Sequence, residues 1–262
     1  MEEDRWHDGT GYEAYVGRWS RRVAERFLPS LDVDRGAAWI DIGCGTGVLT
    51  RAILDLEDPD SVVGIDPSTA FLGAARTSVH DPRVSFVEGT ADAMPEASAS
   101  ADVIVGGLML NFVPDLGRAL TEMIRVVRPE SPIAGYVWDY AEGMQLIRLF
   151  WDAAVALDPA AAELDQGVRF PLCRPEALEA AFVDAGLEEV TVSAIDIPTV
   201  FRSFDDYWAP FLSGVRSAPA YVMSLDPAAR EQLRNRLDWT LPREPDGSIE
   251  LTARAWAVRG RT

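Results

Sequence analysis

The chain has 262 residues, 48% of them hydrophobic, enough to bury one large core, and α/β chains of this length commonly form a single domain. A formal charge of -18 would repel phosphate backbones, and no segment carries the basic stripe that nucleic-acid binders use, so DNA and RNA are not expected partners. All 24 basic residues are arginine, which removes lysine as a Schiff-base nucleophile or tunable general base.

Two cysteines, Cys44 and Cys173, give neither a disulfide framework nor a metal-ligand spacing, so no metal is expected. Glu2, Glu3 and Asp4 are the wrong charge for a signal peptide, and the longest apolar run, residues 103–110, is far short of the ~20 residues of a membrane span. A cytoplasmic protein without a membrane partner is expected. Nothing in the sequence sets an oligomeric state.

Residues 11–28 place Tyr12, Tyr15, Trp19, Val23 and Phe27 at helical spacing, which predicts an amphipathic helix. It either covers a sheet edge or closes over a ligand. Trp39 to Ile42 is a bulky apolar strand running into the turn Gly43-Cys44-Gly45-Thr46-Gly47, where alternate glycines let the chain bend sharply and a ligand approach the backbone. Leu49, Ala52, Ile53 and Leu56 then mark a helix lying on a sheet.

Residues 61–66 read as a second strand ending at Asp66, with Ser68 capping a helix that carries Phe71, Leu72, Ala75 and Val79. An acid at a strand's carboxyl end, about twenty residues past a glycine turn, is placed to accept from both hydroxyls of a ribose, the alternative being a solvated turn aspartate before Pro67. A third short strand contains Val84, Phe86 and Val87.

Ala101 to Leu108 is continuously apolar, as a central parallel strand covered on both faces should be, and Gly106 and Gly107 near its end suggest close approach of a ligand or backbone. A helix is predicted between Pro114 and Pro129, and a fifth strand from Ile133 to Trp138. Met144 to Leu157 is apolar nearly all round and should be buried on more than one side. Pro175 to Ala185 reads as a helix stopped at Gly186, Val190 to Ile197 as a sixth strand, and Ile249 to Ala257 as a half-buried final strand. Asp226 caps a helix with Pro227 in its first turn.

The spacing Asp41-x-Gly43-x-Gly45-x-Gly47 departs from the G-x-G-x-x-G of dinucleotide sites, since Val48 stands where the last glycine would fall. Together with Val62 to Ser68, Glu88 to Pro95 and Asp102 to Val105, it resembles the class I S-adenosylmethionine-dependent methyltransferases, in the small-molecule branch that includes ubiquinone-biosynthesis-type enzymes. The resemblance covers roughly residues 10 to 140. It implies a Rossmann-like, doubly wound α/β sheet of seven strands, parallel except for the C-terminal one, in a single domain.

The resemblance also implies S-adenosyl-L-methionine as cofactor and a set of residues to hold it: Asp41, Gly43, Cys44 and Gly45 at the turn, Asp66 and Pro67 at the ribose, and Ala91, Asp92 and Ala93 around the adenine. Asp92 would accept from the exocyclic amine, Met94 or Ala93 would lie against the ring, and Gly107 would line the methionine end. The N-terminal segment of such enzymes closes over that end, where Arg18 or Tyr15 would meet the carboxylate.

The expected reaction is transfer of a methyl group to a small-molecule acceptor. Positioning alone suffices for it, so no catalytic residue is assigned; Asn111, Trp138, Asp139 and Tyr140 follow the fourth and fifth strands and are the candidates nearest the crevice, Asp139 and Tyr140 as bases. His80 reads as a surface residue and His7 as terminal. Insertions at 141–172 and 203–247 are expected to cap the acceptor, with Phe150, Trp151, Phe204, Tyr207, Trp208 and Phe211 lining its pocket and Arg148, Arg169 and Arg202 available for an acidic group; the alternative is that the rings fill a satellite core. A binding protein that keeps the fold without turnover, and a nucleotide-utilising reductase, are the competing functions.

Overall fold

The computed structural model describes residues 18–213 and 217–262. Its seven strands are β1 (Ala38–Ile42), β2 (Ser61–Asp66), β3 (Val84–Glu88), β4 (Val103–Gly107), β5 (Pro132–Trp138), β6 (Glu188–Phe201) and β7 (Ile249–Arg261), in one sheet of order β3-β2-β1-β4-β5-β7-β6. β3, β2, β1, β4 and β5 run parallel, and β7 lies antiparallel between β5 and β6. The chain therefore winds outward from β1 to β3, then returns to β4 on β1's other side. That reversal opens a crevice at the carboxyl ends of β1 and β4, where open α/β sheets bind ligands.

The inner strands are buried on both faces, with Val103, Ile104 and Val105 fully out of water, as parallel strands covered by helices must be. α1 (Arg18–Phe27) turns Trp19, Val23 and Phe27 inward, the face predicted from their spacing. Trp19 packs edge-on to Phe201 and Phe27 edge-on to Tyr136, and Arg22 Nη1 donates to the Pro198 carbonyl, so this part of the segment covers the β6 side of the sheet. His7, Tyr12 and Tyr15 lie outside the described residues.

α2 (Val48–Leu56) buries Leu49, Ala52 and Ile53, and Leu56 in its last turn is exposed. α3 (Thr69–Ser78) is capped by Ser68, which accepts from the Phe71 amide, and α4 (Leu116–Val126) by Asp115, which accepts from the Arg118 amide. Each cap satisfies an amide that the helix itself leaves without a partner.

The larger departure from expectation is at the sheet's far edge. β6 was expected over Val190 to Ile197 and extends from Glu188 to Phe201, because β7 pairs with it as far as Phe201↔Ile249 while β5 stops at Trp138↔Ala255. The two strands overhang β5 by roughly 20 Å at about 3.3 Å per residue. The insertions seat on this overhang: α5 (Gln145–Leu157) with a 3-10 turn at Pro159–Leu164, the short α6 (Gln166–Arg169), and, after α7 (Pro175–Asp184), the elements α8 (Phe204–Trp208), a 3-10 turn at Ala209–Ser213, α9 (Ser217–Ser224) and α10 (Pro227–Thr240).

The six aromatic residues expected to line a pocket pack on one another instead. Phe150 stacks on Phe211 at 4.5 Å and meets Trp151 edge-on, Tyr207 reaches Phe211 at 5.5 Å, and Phe204 stacks on Trp208. Phe150, Trp151, Tyr207 and Phe211 are 0% exposed and border no water-sized space, and Phe204 and Trp208 are 5% exposed. They are the satellite core. The physical reason is burial: aromatic pairs packed edge-to-face or offset release more free energy inside than facing an open cleft.

Candidate active site

β1 delivers a buried acid to the crevice. Asp41 sits in the strand opposite Gly64 on one side and Val105 on the other, and is 0% exposed. The Thr50 hydroxyl of α2 donates to its Oδ2 at 2.6 Å, but Oδ1 is buried with no hydrogen-bond partner. Loss of hydration pushes its carboxyl up to about 7, against the pull of the Thr50 bonds.

The glycine turn that follows holds its shape by backbone bonds. The Gly43 and Cys44 amides both donate to the Ile65 carbonyl, at 2.7 and 3.1 Å, and the Gly47 amide donates to the Cys44 carbonyl. Gly43, Gly45 and Gly47 all have positive φ, at 67°, 54° and 86°. They differ in what surrounds them. A Cβ on Gly43 would lie 2.7 Å from the Cβ of Met109, and one on Gly47 would meet Val79 at 3.1 Å, whereas one on Gly45 would meet nothing within 4 Å. Gly45 thus faces open space, the cradle a ligand needs.

Asp66 closes the far side. Its Oδ2 accepts from the Gly45 amide at 3.0 Å and its Oδ1 from the Ser68 amide at 2.8 Å, which fixes the carboxylate at the end of β2. Each oxygen keeps a second lone pair for a further donor. Asp66 is 6% exposed, and burial pushes its carboxyl up despite the two amides. Among the described residues neither Asp41 nor Asp66 makes an ion pair. The two acids are close enough for the Asp66 charge to add to the rise at Asp41.

The other expected positions divide. Pro67 is exposed just beyond Asp66. Ala91 is buried, Asp92 is partly exposed with the Thr90 hydroxyl as the chief cause of its lowered pKa, and Ala93 is exposed. Of the two residues expected against the ring, Met94 lies in the core, its amide donating to Glu122, and Ala93 is the one at the surface. Arg118 lies 4.0 Å from Asp92. The Cys44 thiol is buried near Gly64, its amide donates to the Ile65 carbonyl and its carbonyl accepts from the Gly47 amide. The side Gly107 leaves open is filled by the Tyr136 hydroxyl and Leu49, which makes that glycine a close-packing residue. Arg18 is the first residue of α1.

Of the possible bases, Asp139 is 2% exposed and its Oδ1 accepts from the Glu142 amide, which holds the start of the insertion. Tyr140 lies against Phe170 at 5.6 Å, and Phe170 meets Phe112 edge-on at 5.4 Å. Arg148 is held by Asp165 at 2.5 Å, Arg202 is exposed near Asp206, and Arg169 lies over the Phe170 ring. Met109 and Phe170 went unnoticed in the sequence, because a lone methionine or phenylalanine in a loop carries no periodic signal.

Residues 40–134 match the methyltransferase domain family. A demethylmenaquinone methyltransferase of Roseiflexus sp. (strain RS-1) is 32% identical over 174 residues, which span 60% of this chain and 71% of that one. The chain belongs to the class I S-adenosylmethionine-dependent methyltransferases. It is an enzyme of that class, and its cofactor is S-adenosyl-L-methionine. A malonyl-[acyl-carrier protein] O-methyltransferase of Halorhodospira halophila (strain DSM 244 / SL1) is 29% identical over 257 residues, 92% of this chain and 81% of that one. Among solved structures, a Haemonchus contortus phosphoethanolamine N-methyltransferase 2 in complex with phosphomonomethylethanolamine and S-adenosylhomocysteine has a TM-score of 0.60 at 15% identity. It covers 97% of this chain, which spans 57% of that enzyme's length, and shows the shared fold.

The methyltransferase's crevice suits this cofactor. The donor is a cation with an ammonium group and a ribose, and the site offers an unpartnered buried carboxylate oxygen, an uncompensated acid pair and open space at Gly45. Among the described residues no helix is long and apolar enough to cross a membrane.

Proposed function

We propose that the cofactor's charged amino-acid end lies toward Asp41, its ribose hydroxyls donate to Asp66, and its adenine lies along Ala91, Asp92 and Ala93. The observations that carry this reading are the orphaned Oδ1 of Asp41 at the end of β1 and the open face of Gly45 in the turn that follows it. An unpaired buried carboxylate oxygen costs about 1–3 kcal/mol or more, which a bound donor removes.

Bound there, the cofactor supplies an electrophilic methyl on a positively charged sulfur. The chain's share is to hold nucleophile, methyl carbon and sulfur in line, and such positioning contributes roughly 7 to 11 kcal/mol. No base is required of Asp139, whose carboxylate already holds the Glu142 amide. The acceptor enters at the carboxyl ends of β4 and β5, under the cap formed by residues 141–172 and 203–247 on the β6–β7 overhang. Its small-molecule class follows from the crevice, and the -18 charge opposes a nucleic-acid acceptor. The cytoplasm is its expected compartment.

Isothermal titration with S-adenosylhomocysteine tests the assignment. The parent should bind, and Gly45→Val should not. Release of S-adenosylhomocysteine from S-adenosylmethionine in the presence of an acceptor library separates turnover from a non-catalytic binding protein, which would bind and release nothing new.

A further inference from the structure

α4 is fixed to the sheet by Ala119, Leu120, Met123 and Val126, all buried, and meets the segment between β3 and β4 with a second face. Arg118, Glu122 and Arg125 stand at i, i+4 and i+7, one stripe of a helix. Glu122 Oε1 accepts from the Met94 amide at 3.1 Å. Arg125 holds Glu122 with two bonds, Nε to Oε2 and Nη2 to Oε1, both at 2.8 Å. The same guanidinium donates to the Glu96 carbonyl at 2.8 Å, to the Met94 carbonyl at 3.4 Å and to the Ser98 hydroxyl oxygen at 3.1 Å.

These bonds fasten a segment that runs through turns and bends, with Thr90 and Ala93 meeting in an isolated bridge. Ala99 takes the left-handed conformation, φ 50°, which costs an alanine free energy, and it does so where its amide donates to the Arg125 carbonyl at 3.0 Å. The Ser100 amide donates to the Val126 carbonyl at 2.9 Å, so the segment is tied to α4 from Met94 to Ser100. Asp92 lies two residues before Met94, at most about 7 Å along the chain. Arg118 cannot supply that order: its side chain is 68% exposed and stands 4.0 Å from Asp92, a surface pair of little worth, whereas Glu122 is 19% exposed and held by a bidentate, charge-assisted pair.

We propose, resting on the adenine placement proposed above, that Glu122 and Arg125 are positioning residues for the methyl donor: they hold residues 91–93 in register with the purine, so that the Asp92 carboxylate accepts from its exocyclic amine. Selectivity for a 6-amino over a 6-oxo purine then depends on two side chains that do not touch the ring. A 6-oxo purine presents a carbonyl oxygen to the carboxylate, and two acceptors repel each other only while the segment keeps Asp92 in place. Position 125 needs arginine, because a single ammonium cannot form two parallel bonds to Glu122 and also reach Glu96 and Ser98.

The test uses the full chain and two ligands in calorimetry, S-adenosylhomocysteine and S-inosylhomocysteine, which carry a 6-amino and a 6-oxo purine. The parent should prefer the adenine ligand by about tenfold or more. Arg125→Met should weaken S-adenosylhomocysteine about tenfold and the inosine ligand less than twofold, which removes most of the preference. Should that variant not fold, Arg125→Lys, which keeps the charge but not the fork of donors, should lower the preference about threefold. A folded Arg125 variant that keeps the parent's preference, or weakens both ligands equally as a general loosening would, overturns the proposal and leaves the adenine placement standing. A parent that binds both ligands alike overturns the placement of adenine at Asp92 and this inference with it, and a parent that binds no S-adenosylhomocysteine overturns the donor site as a whole.

Discussion

The crevice after β1 and the cap on the β6–β7 overhang are built on opposite terms. In the cap, Phe150, Trp151, Tyr207 and Phe211 fill each other's space, the Trp151 indole nitrogen donates to Gln166, and the Tyr207 hydroxyl donates to the Leu146 carbonyl. In the crevice, Asp41 has an oxygen without a partner, Asp66 makes no ion pair among the described residues and Gly45 faces open space. In the cap the rings meet one another, whereas the crevice leaves a carboxylate oxygen without a partner and open space at Gly45. Aromatic abundance in these insertions therefore marks packing.

The sharpest way to break that contrast is Gly45→Val. A Cβ there would meet no protein atom within 4 Å but would stand in the open space at φ 54°, a conformation that strains a valine, so in the variant that still folds S-adenosylhomocysteine affinity should fall by more than about 100-fold, roughly 3 kcal/mol. A parent-like dissociation constant by calorimetry would place the ligand elsewhere. The neighbouring Gly43→Ala should act otherwise, since its Cβ runs into Met109 and lowers stability as well.

In the cap, Phe150→Ala should lower unfolding free energy by about 3–5 kcal/mol in denaturant titration, because it removes the ring stacked on Phe211. S-adenosylhomocysteine affinity should stay within about twofold at temperatures where the variant is folded. A large loss of affinity without loss of stability would make the ring part of the site after all.

Asp41 ties stability to pH. Its folded pKa of about 7 lies above the unfolded value of 3.8, so the folded state holds more protons between them, and this carboxyl's contribution is full below the unfolded value and is lost as pH rises toward and through 7. At about 1.4 kcal/mol per pKa unit, the effect is on the order of 4 kcal/mol. Asp41→Asn should therefore gain stability relative to the parent as pH rises from 4 to 8 in melts without cofactor. An unchanged difference across that range would show that Asp41 does not titrate there.

The smallest effect is expected at Asp66. Replacement by alanine removes the acceptor of the Gly45 and Ser68 amides and of the proposed ribose bonds, and S-adenosylhomocysteine binding should weaken by about 1.5–3 kcal/mol. Affinity equal to the parent's in a folded variant would reduce Asp66 to a turn residue.

What the sequence alone determined is local. The run from Trp39 to Gly47, the strand ending at Asp66, the proline-bounded helix after Asp115 and the alternation from Ile249 onward depend on backbone sterics, capping and residue periodicity within a dozen positions, and the structure has them where those rules put them. From these the sheet, its crevice and the acids at its mouth were legible. The tertiary structure decided which residues far apart in the chain meet. Only three-dimensional packing sets Phe150 on Phe211 and closes their faces, sets the Cys44 thiol near Gly64, fills the open side of Gly107 with Tyr136, and leaves the buried Asn111 amide nitrogen without a partner. Periodicity tells which face of an element is apolar, but an aromatic residue looks the same in sequence whether its partner is another ring or a ligand. That choice depends on contacts over long chain separations, and the pattern of neighbouring residues carries no record of them.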